Sequence, residues 1–207
     1  MTTKIKAGRL VLTLTPNKGG IVIRSLHDTG TGTEFLAEPP LPLFTLTLRE
    51  ISTRRELQLT ADEGWETSEL QPTPDGAKLI FENPSESAAQ GLRVAVQVAS
   101  DTKNDAFRWN LSVLNEGENL SLMRVVFPEA MIAELGEDGS VFLPRAAGEV
   151  TRGMWQTEFE HERLYPDPWM TMQYMAAYTG NGSAGLYFAT HDPMGGPKLM
   201  SCRSHPE

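Results

Sequence analysis

Apolar and polar residues alternate with a period of two along most of the chain. The clearest segments are Leu10 to Thr15, Phe44 to Arg49, Leu92 to Val98 and Phe107 to Val113. Successive side chains of a β-strand leave opposite faces, so each segment has one face suited to a core and one suited to solvent. The polar cluster from Ser100 to Asp105 separates the last two segments and predicts a hairpin.

Turn-forming residues recur at short intervals between these segments. Pro74-Asp75-Gly76, Asn115-Glu116-Gly117 and Gly180-Asn181-Gly182 all combine residues that favour tight turns. Many short strands with frequent turns predict an all-β fold, a β-sandwich or a barrel. We predict a single domain, taken as a β-sandwich over residues 1–192. Residues 193–207 show no strand pattern and are predicted to be a linker or a truncated end. Glu129 to Leu135 is predicted to form one turn of helix or an irregular strand.

The composition excludes several classes of protein. The chain has 207 residues, 18 basic and 27 acidic side chains, and a formal net charge of −9. An acidic balance argues against nucleic acid as a partner, since nucleic-acid modules present clustered Lys and Arg. No run approaches the about 18 apolar residues of a transmembrane helix, so no membrane partner is predicted. Residues 1–10 lack an apolar signal core and the chain can form no internal disulfide, which favours a cytoplasmic protein; secretion stays open if a leader has been removed.

Local motifs for metals, cofactors and nucleophiles are missing from the sequence. The single cysteine, Cys202, excludes an intrachain disulfide and a cysteine-rich zinc site. The histidines are His27, His161, His191 and His205, and none has a partner at HxH or HxxxH spacing. There is no GxSxG elbow and no glycine-rich phosphate loop. We therefore predict no cofactor and no metal site, although a metal site built from residues distant in sequence stays open.

Three carboxylates are spaced by two residues: Glu158, Glu160 and Glu162. In a strand they share one face, and a pair of carboxylates is the machinery of glycoside hydrolysis. The alternative is a solvated edge strand whose like charges discourage aggregation, which we favour because three like charges suit solvent. The catalytic residues stay unknown; the candidates are Glu158, Glu160 and His191, with His161 as the alternative histidine of a His/Glu pair.

Aromatic and polar residues are concentrated in the last third of the chain. Flat rings pack on the C–H faces of sugars, while carboxylates, amides and imidazoles bond to hydroxyls. Tyr174 and Tyr178 are interpreted as core rings. The candidate carbohydrate-binding residues are Trp155, Tyr165, Asp167, Trp169, Gln173, His191 and Asp192.

Four motifs carry a resemblance to a known family. They are GIVIRSLHDTGTGTEFL at residues 20–36, FLPRAAGE at 142–149, YPDPWMTMQY at 165–174 and GLYFATHD at 185–192. The first resembles the opening hairpin of galactose-mutarotase-like supersandwich domains. In this order, the other three resemble the N-terminal sandwich domain of large glycoside-hydrolase-like proteins, including an uncharacterised family and relatives of endo-α-N-acetylgalactosaminidases.

The resemblance implies a two-sheet antiparallel supersandwich that precedes a catalytic (β/α)8 barrel. Such a barrel carries the acid and nucleophile carboxylates, so this chain is expected to be a non-catalytic, carbohydrate-associated domain that borders a glycan site. The expected partners are carbohydrate and a C-terminal catalytic barrel domain of the parent protein. Mutarotase catalysis is not carried over, because the motif bearing the His acid and Glu base is missing. The alternatives are a stand-alone sugar epimerase or hydrolase with a His/Glu pair, and a structural module that packs on a partner domain.

Overall fold

The computed structural model describes residues 2–206 and is built almost entirely from antiparallel β-strands. The chain divides into two compact units, Met1–Ala133 and Glu134–Glu207. This division differs from the predicted single domain over residues 1–192. The strands of each unit pair among themselves, and such pairing depends on tertiary contacts that the local sequence around residue 133 does not reveal.

The first unit contains strands β1 to β11 and one short 3-10 helix, Ser87–Ala89. Its three antiparallel sheets have the orders β1-β2-β3-β4, β10-β9-β8-β7 and β11-β5-β6. None of the helices within residues 2–206 is long and apolar enough to cross a lipid bilayer. The strands are β1 (Thr3–Ala7), β2 (Leu10–Asn17), β3 (Gly20–Asp28), β4 (Thr33–Glu34), β5 (Thr45–Glu50), β6 (Glu56–Thr60), β7 (Trp65–Thr73), β8 (Gly76–Pro84), β9 (Leu92–Asp101), β10 (Ala106–Asn115) and β11 (Leu120–Val126).

The strands predicted from the period-two pattern are confirmed. β2, β5, β9 and β10 coincide with the four alternating segments, and β9 pairs with β10 as a hairpin closed at Asp101 and Ala106. On β9 the even-numbered residues from Leu92 to Val98 are buried, whereas Arg93 and Gln97 are exposed. The alternation therefore identifies the core face of this strand correctly.

Aromatic rings form the centre of the first unit. Phe44 lies edge-on to Phe81 with ring centroids 5.0 Å apart, and Trp65 lies 5.5 Å from Phe81. All three side chains are buried. Edge-to-face pairs add roughly 0.5–1.5 kcal/mol each beyond the burial of their area, so this cluster stabilises the unit substantially.

The acidic residues of the opening motif bind the backbone of their own hairpin. Oδ1 of the buried Asp28 accepts a hydrogen bond from the Gly30 amide at 2.7 Å. Oε1 of Glu34 accepts from the amides of Leu26 and Leu36 at 2.8 and 3.1 Å. Both carboxylates thus satisfy backbone amides within this hairpin, which is a structural role.

The segment Glu129–Leu135 contains no helical turn and adopts the predicted alternative, an irregular strand. Ile132 forms an isolated antiparallel bridge with Leu36. On either side, the Ala37 amide donates to the Met131 carbonyl at 3.0 Å and the Ala133 amide donates to the Phe35 carbonyl at 2.9 Å. Pairing with a distant segment satisfies this backbone, and it overrides the helical spacing of the side chains.

The second unit contains a four-stranded sheet in the order β13-β12-β15-β16 and a two-stranded ribbon of β14 and β17. A short 3-10 helix, Met154–Gln156, lies between β13 and β14. The strands are β12 (Ser140–Leu143), β13 (Glu149–Arg152), β14 (Phe159–Tyr165), β15 (Tyr174–Tyr178), β16 (Gly185–Ala189) and β17 (Lys198–Ser204).

Strand β17 corrects the expectation that residues 193–207 lack strand structure. Lys198–Ser204 pair along their whole length with β14, with Cys202 opposite His161. The local pattern does not reveal this strand, because the apolar neighbours Leu199 and Met200 lie on opposite faces and only Met200 is buried.

Candidate functional site

The four-stranded sheet of the second unit has one apolar buried face and one aromatic open face. The buried face carries Val141, Leu143, Ala177 and Leu186. Residues paired across antiparallel strands place their side chains on the same face. The register places Val150 opposite Phe142, Phe142 opposite Ala176 and Ala176 opposite Tyr187, so these residues cross all four strands on the open face.

Four aromatic residues surround Ala176 on this open face. Phe142 and Tyr187 flank it across the strands, and Tyr174 and Tyr178 lie two residues before and after it along β15. We call these four the aromatic face. Ala176 itself is half-buried, so the smallest side chain forms a floor between larger rings. Such an arrangement can receive the apolar side of a small flat ligand.

Three of the four rings of the aromatic face contact one another in a row. Phe142 stacks on Tyr174 with centroids 5.1 Å apart and an interplanar angle of 11°, and Tyr174 lies 5.5 Å from Tyr187. Tyr187 is 56% exposed. Tyr174 and Tyr178 are half-buried on this open face, which corrects their interpretation as core rings. The buried position of the strand is Ala177, so the core face of β15 is the opposite one.

His191 lies at the end of the ring row. It follows β16, it is exposed, and its ring centroid is 6.4 Å from that of Tyr187. An imidazole at this place can donate to or accept from a hydroxyl of a ligand that rests on Tyr187. Of the candidate residues from the sequence, His191 is the one that directly borders the aromatic face.

Three other candidates meet around a lysine that the sequence analysis did not single out. Lys198 Nζ donates to Gln173 Oε1 at 2.7 Å and to Asp192 Oδ2 at 2.9 Å, and it lies 4.9 Å from the centroid of the Tyr165 ring. We call Tyr165, Gln173, Asp192 and Lys198 the Lys198 cluster. A cation held by a carboxylate, an amide and a ring face is well satisfied, so the cluster is a structural clasp.

The Asp192 carboxylate accepts three hydrogen bonds. Besides Lys198, it accepts the amides of Met194 at 2.9 Å and Gly196 at 2.8 Å. The hydrogen bond from Lys198, followed by those two amides, lowers the pKa of Asp192 below its usual 3.8. A carboxylate whose pKa is held low is a poor general acid at neutral pH; Asp192 instead holds the turn that follows His191.

Asp167 and Trp169 belong to a neighbouring loop. The Trp169 amide donates to Asp167 Oδ1 at 2.6 Å, and its carbonyl accepts from the Ala146 amide at 2.9 Å. The Trp169 side chain is 62% exposed. Asp167 therefore shapes its own turn, whereas Trp169 offers an open indole ring.

Trp155 lies apart from the other candidates. Its ring packs over Gly139, where an added Cβ would come within 2.9 Å of it. Gly139 lies at the end of the sheet where Ser140 pairs with Tyr178. His191 and Asp192 follow the opposite end, where Ala189 pairs with Tyr174. The structure thus collects six of the seven predicted sugar-binding residues at one end of the second unit and separates Trp155 from them.

The spaced carboxylates form a surface ion-pair network. Glu160 and Glu162 share one face of β14 and lie 3.0 and 3.3 Å from the guanidinium of Arg203. Glu158 is exposed and precedes the strand. His161 points to the opposite, buried side, so the structure does not bring the suggested pair of His161 and Glu160 together. Within residues 2–206, no hydrogen bond or ion pair joins His191 to Glu158 or Glu160.

The residues of the aromatic face and of the Lys198 cluster that the sequence did not single out as candidates are Phe142, Tyr187 and Lys198. The period-two pattern of β15 held a signal for the aromatic face itself, since placing Ala177 in the core puts Tyr174 and Tyr178 on a shared open face. No local pattern indicated Lys198. Across the part of the chain that the structure describes, no group of three or more His, Cys, Asp or Glu side chains is placed to hold a metal ion.

Comparisons with known proteins add no functional evidence for this chain. No family model matches the chain, and no curated protein matches it. The functional argument therefore rests on the chemistry of the second unit.

Proposed function

We propose that the second unit binds carbohydrate on its aromatic face. The observation that carries this proposal is the half-buried Ala176 floor between Phe142, Tyr174, Tyr178 and the largely exposed Tyr187. Aromatic rings on the open side of a sheet leave apolar surface exposed to water, which is unfavourable. A ligand with an apolar face gains free energy by covering that surface.

The chemistry around these rings suits a sugar. A pyranose presents C–H groups on its faces and hydroxyls at its edge, and therefore needs a ring surface beside polar groups. Tyr187 supplies the ring surface and His191 supplies a donor or acceptor 6.4 Å away. The Lys198 cluster holds the turn after His191, which limits the entropy lost when a hydroxyl binds there.

We further propose that the chain is a non-catalytic, carbohydrate-associated domain of a glycoside-hydrolase-like protein, built as a galactose-mutarotase-like supersandwich. The support is the order of the four sequence motifs. Three of these motifs supply residues to the proposed site or its clasp: Phe142 in the second, Tyr165 and Tyr174 in the third, Tyr187 and His191 in the fourth. Catalysis would then fall to a barrel domain of the parent protein.

Binding can be tested with saturation-transfer NMR and calorimetry against a panel of mono- and oligosaccharides at up to millimolar concentration. We expect Tyr187→Ala to weaken binding at least about tenfold, which corresponds to roughly 1.4 kcal/mol of binding free energy. Ala176→Leu should weaken it comparably, because the added side chain fills the floor between the rings.

Leu164→Ala is the matched control, since Leu164 is similarly exposed but lies on β14, away from the aromatic face. It should leave the affinity unchanged. If the wild-type chain binds no sugar of the panel, or if Tyr187→Ala and Ala176→Leu bind as well as wild type, the aromatic face is not a carbohydrate site. A scaffold role would then be the better description.

A further inference from the structure

The ribbon of β14 and β17 carries nitrogen and sulfur ligands on its inward face. His161 and Cys202 are directly paired across the two strands, so their side chains leave the same face. Met200 lies two residues before Cys202 and is therefore on this face as well, diagonal to His161. His161 and Met200 are 6% and 8% exposed, and Cys202 is half-buried. An imidazole, a thiol and a thioether thus occupy neighbouring positions on one face of the ribbon.

The imidazole of His161 has an unsatisfied nitrogen. Its Nε2 atom is buried and has no hydrogen-bond partner among the described residues. In particular, it receives no hydrogen bond from the Cys202 thiol. A buried polar atom without a partner is unfavourable, and such atoms commonly mark the position of a bound water or ion.

We propose that His161, Cys202 and Met200 form a binding site for monovalent copper. Directly paired residues have Cβ atoms about 4.5–5.5 Å apart, and metal–sulfur and metal–nitrogen bonds of about 2.3 and 2.0 Å together span about 4.3 Å. The His161 and Cys202 side chains can therefore reach one ion from opposite strands. The diagonal thioether of Met200 is within reach of a third position.

The ligand set and the local charge select the ion. Thiolate and thioether sulfur are soft ligands that favour copper(I), which is stable with few ligands. Arg163 and Arg145 both act on His161 as positive charges, and Glu149, which pairs with Arg145 at 3.3 Å, acts in the opposite direction. A monovalent ion with one thiolate is neutral overall, whereas a divalent ion would leave a buried positive charge beside Arg163.

Coordination also requires the Cys202 proton to leave. Burial raises the pKa of this thiol to about 11, so a neutral thiol is present at neutral pH. Copper(I) replaces the proton on sulfur and the proton passes to solvent, so no electron is transferred in the step. Since Cys202 is half-buried rather than enclosed, the ion has a path to it.

The site can be tested by competition between the full chain and a chromogenic copper(I) chelator under anaerobic, reducing conditions. We expect one bound copper(I) per chain and an ultraviolet thiolate-to-copper band. Cys202→Ser and His161→Gln should each lower the affinity at least about 100-fold, because losing even an outer-shell partner commonly costs 10–100-fold. Met200→Leu should lower it by a smaller factor. Zinc(II) should not displace the copper.

The controls are His27→Gln and Met194→Leu, which alter a histidine of the first unit and an exposed methionine. Both should bind copper(I) as wild type does, and circular dichroism checks the fold of every variant. If His161→Gln fails to fold, Cys202→Ser still tests the site, because serine removes the sulfur ligand with little change in side-chain size. The proposal is overturned if wild type and Cys202→Ser compete equally with the chelator, or if zinc(II) displaces the metal.

Discussion

The ammonium nitrogen of Lys198 lies 2.9 Å from Oδ2 of Asp192, and this contact ties the first residue of β17 to the turn after β16. Both side chains are largely shielded, at 19% and 32% exposed. The same nitrogen reaches Gln173, the residue before β15. One cation therefore joins three segments beside the aromatic face.

Lys198→Met should loosen this end of the second unit. Without the ammonium group, Asp192 Oδ2 and Gln173 Oε1 each lose a charged donor, so we expect a lower melting temperature and faster amide exchange over residues 190–196. Lys6→Met, at an exposed position of β1, should change neither quantity. Unaltered exchange over residues 190–196 in Lys198→Met would contradict the structural role of the cluster.

The pKa of Asp192 should respond to the same substitution. Lys198 is the largest cause that lowers this pKa below 3.8, so removing it should return the value toward 3.8. A carboxyl group whose pKa is lower in the folded protein than in the unfolded chain stabilises the fold at a pH above the unfolded-chain pKa. This contribution is lost as the pH falls through the folded-state pKa. NMR titration of the Asp192 side-chain carbon should show a higher midpoint in Lys198→Met than in wild type.

Asp101 should make the first unit sensitive to acid. Hydrogen bonds from the side chains of Asn104 and then Arg108 lower its pKa from 3.8 to about 2. Its contribution to stability is therefore fully present above about pH 4 and is lost as the pH falls toward about 2. Urea unfolding at several pH values should show a smaller fall over this window in Asp101→Asn than in wild type. Parallel curves for the two proteins would refute this.

Gly76→Ala should destabilise the first unit strongly. A Cβ at this position would lie 2.0 Å from the carbonyl oxygen of Val98, on the strand paired with β8. The strands cannot separate without losing ladder hydrogen bonds, so we expect a cost of about 3 kcal/mol in the free energy of unfolding. Gly32→Ala should cost only about 1 kcal/mol, since Gly32 needs a positive φ but has open space around it. Equal costs in chemical denaturation would rule out the steric explanation.

Arg203→Gln should have little effect although Arg203 contacts both Glu160 and Glu162. Exposed ion pairs contribute about 0–1 kcal/mol, so the free energy of unfolding should fall by less than about 1 kcal/mol. Leu143→Ala, at a buried position of the same unit, should cost about 2–5 kcal/mol. An Arg203→Gln cost as large as that of Leu143→Ala would show that the network is more than a solvated surface.

The local sequence determined the elements whose signals lie within a few residues. The alternation of Leu92, Val94, Val96 and Val98 identified both a strand and its buried face, because side-chain direction in a strand depends only on position. The polar cluster from Ser100 to Asp105 identified the hairpin between β9 and β10, because turn-forming residues act on the backbone beside them. The all-β class of the chain followed from such segments.

Only the tertiary structure decided where the chemistry lies. Strand β17 exists because β14 pairs with it, and that pairing alone brings His161 opposite Cys202 and Lys198 beside Tyr165. The rings around Ala176 come together across three strands whose register is set by long-range hydrogen bonds. Pairing between distant segments is governed by the packing of the whole unit, so no local pattern of residues could determine it.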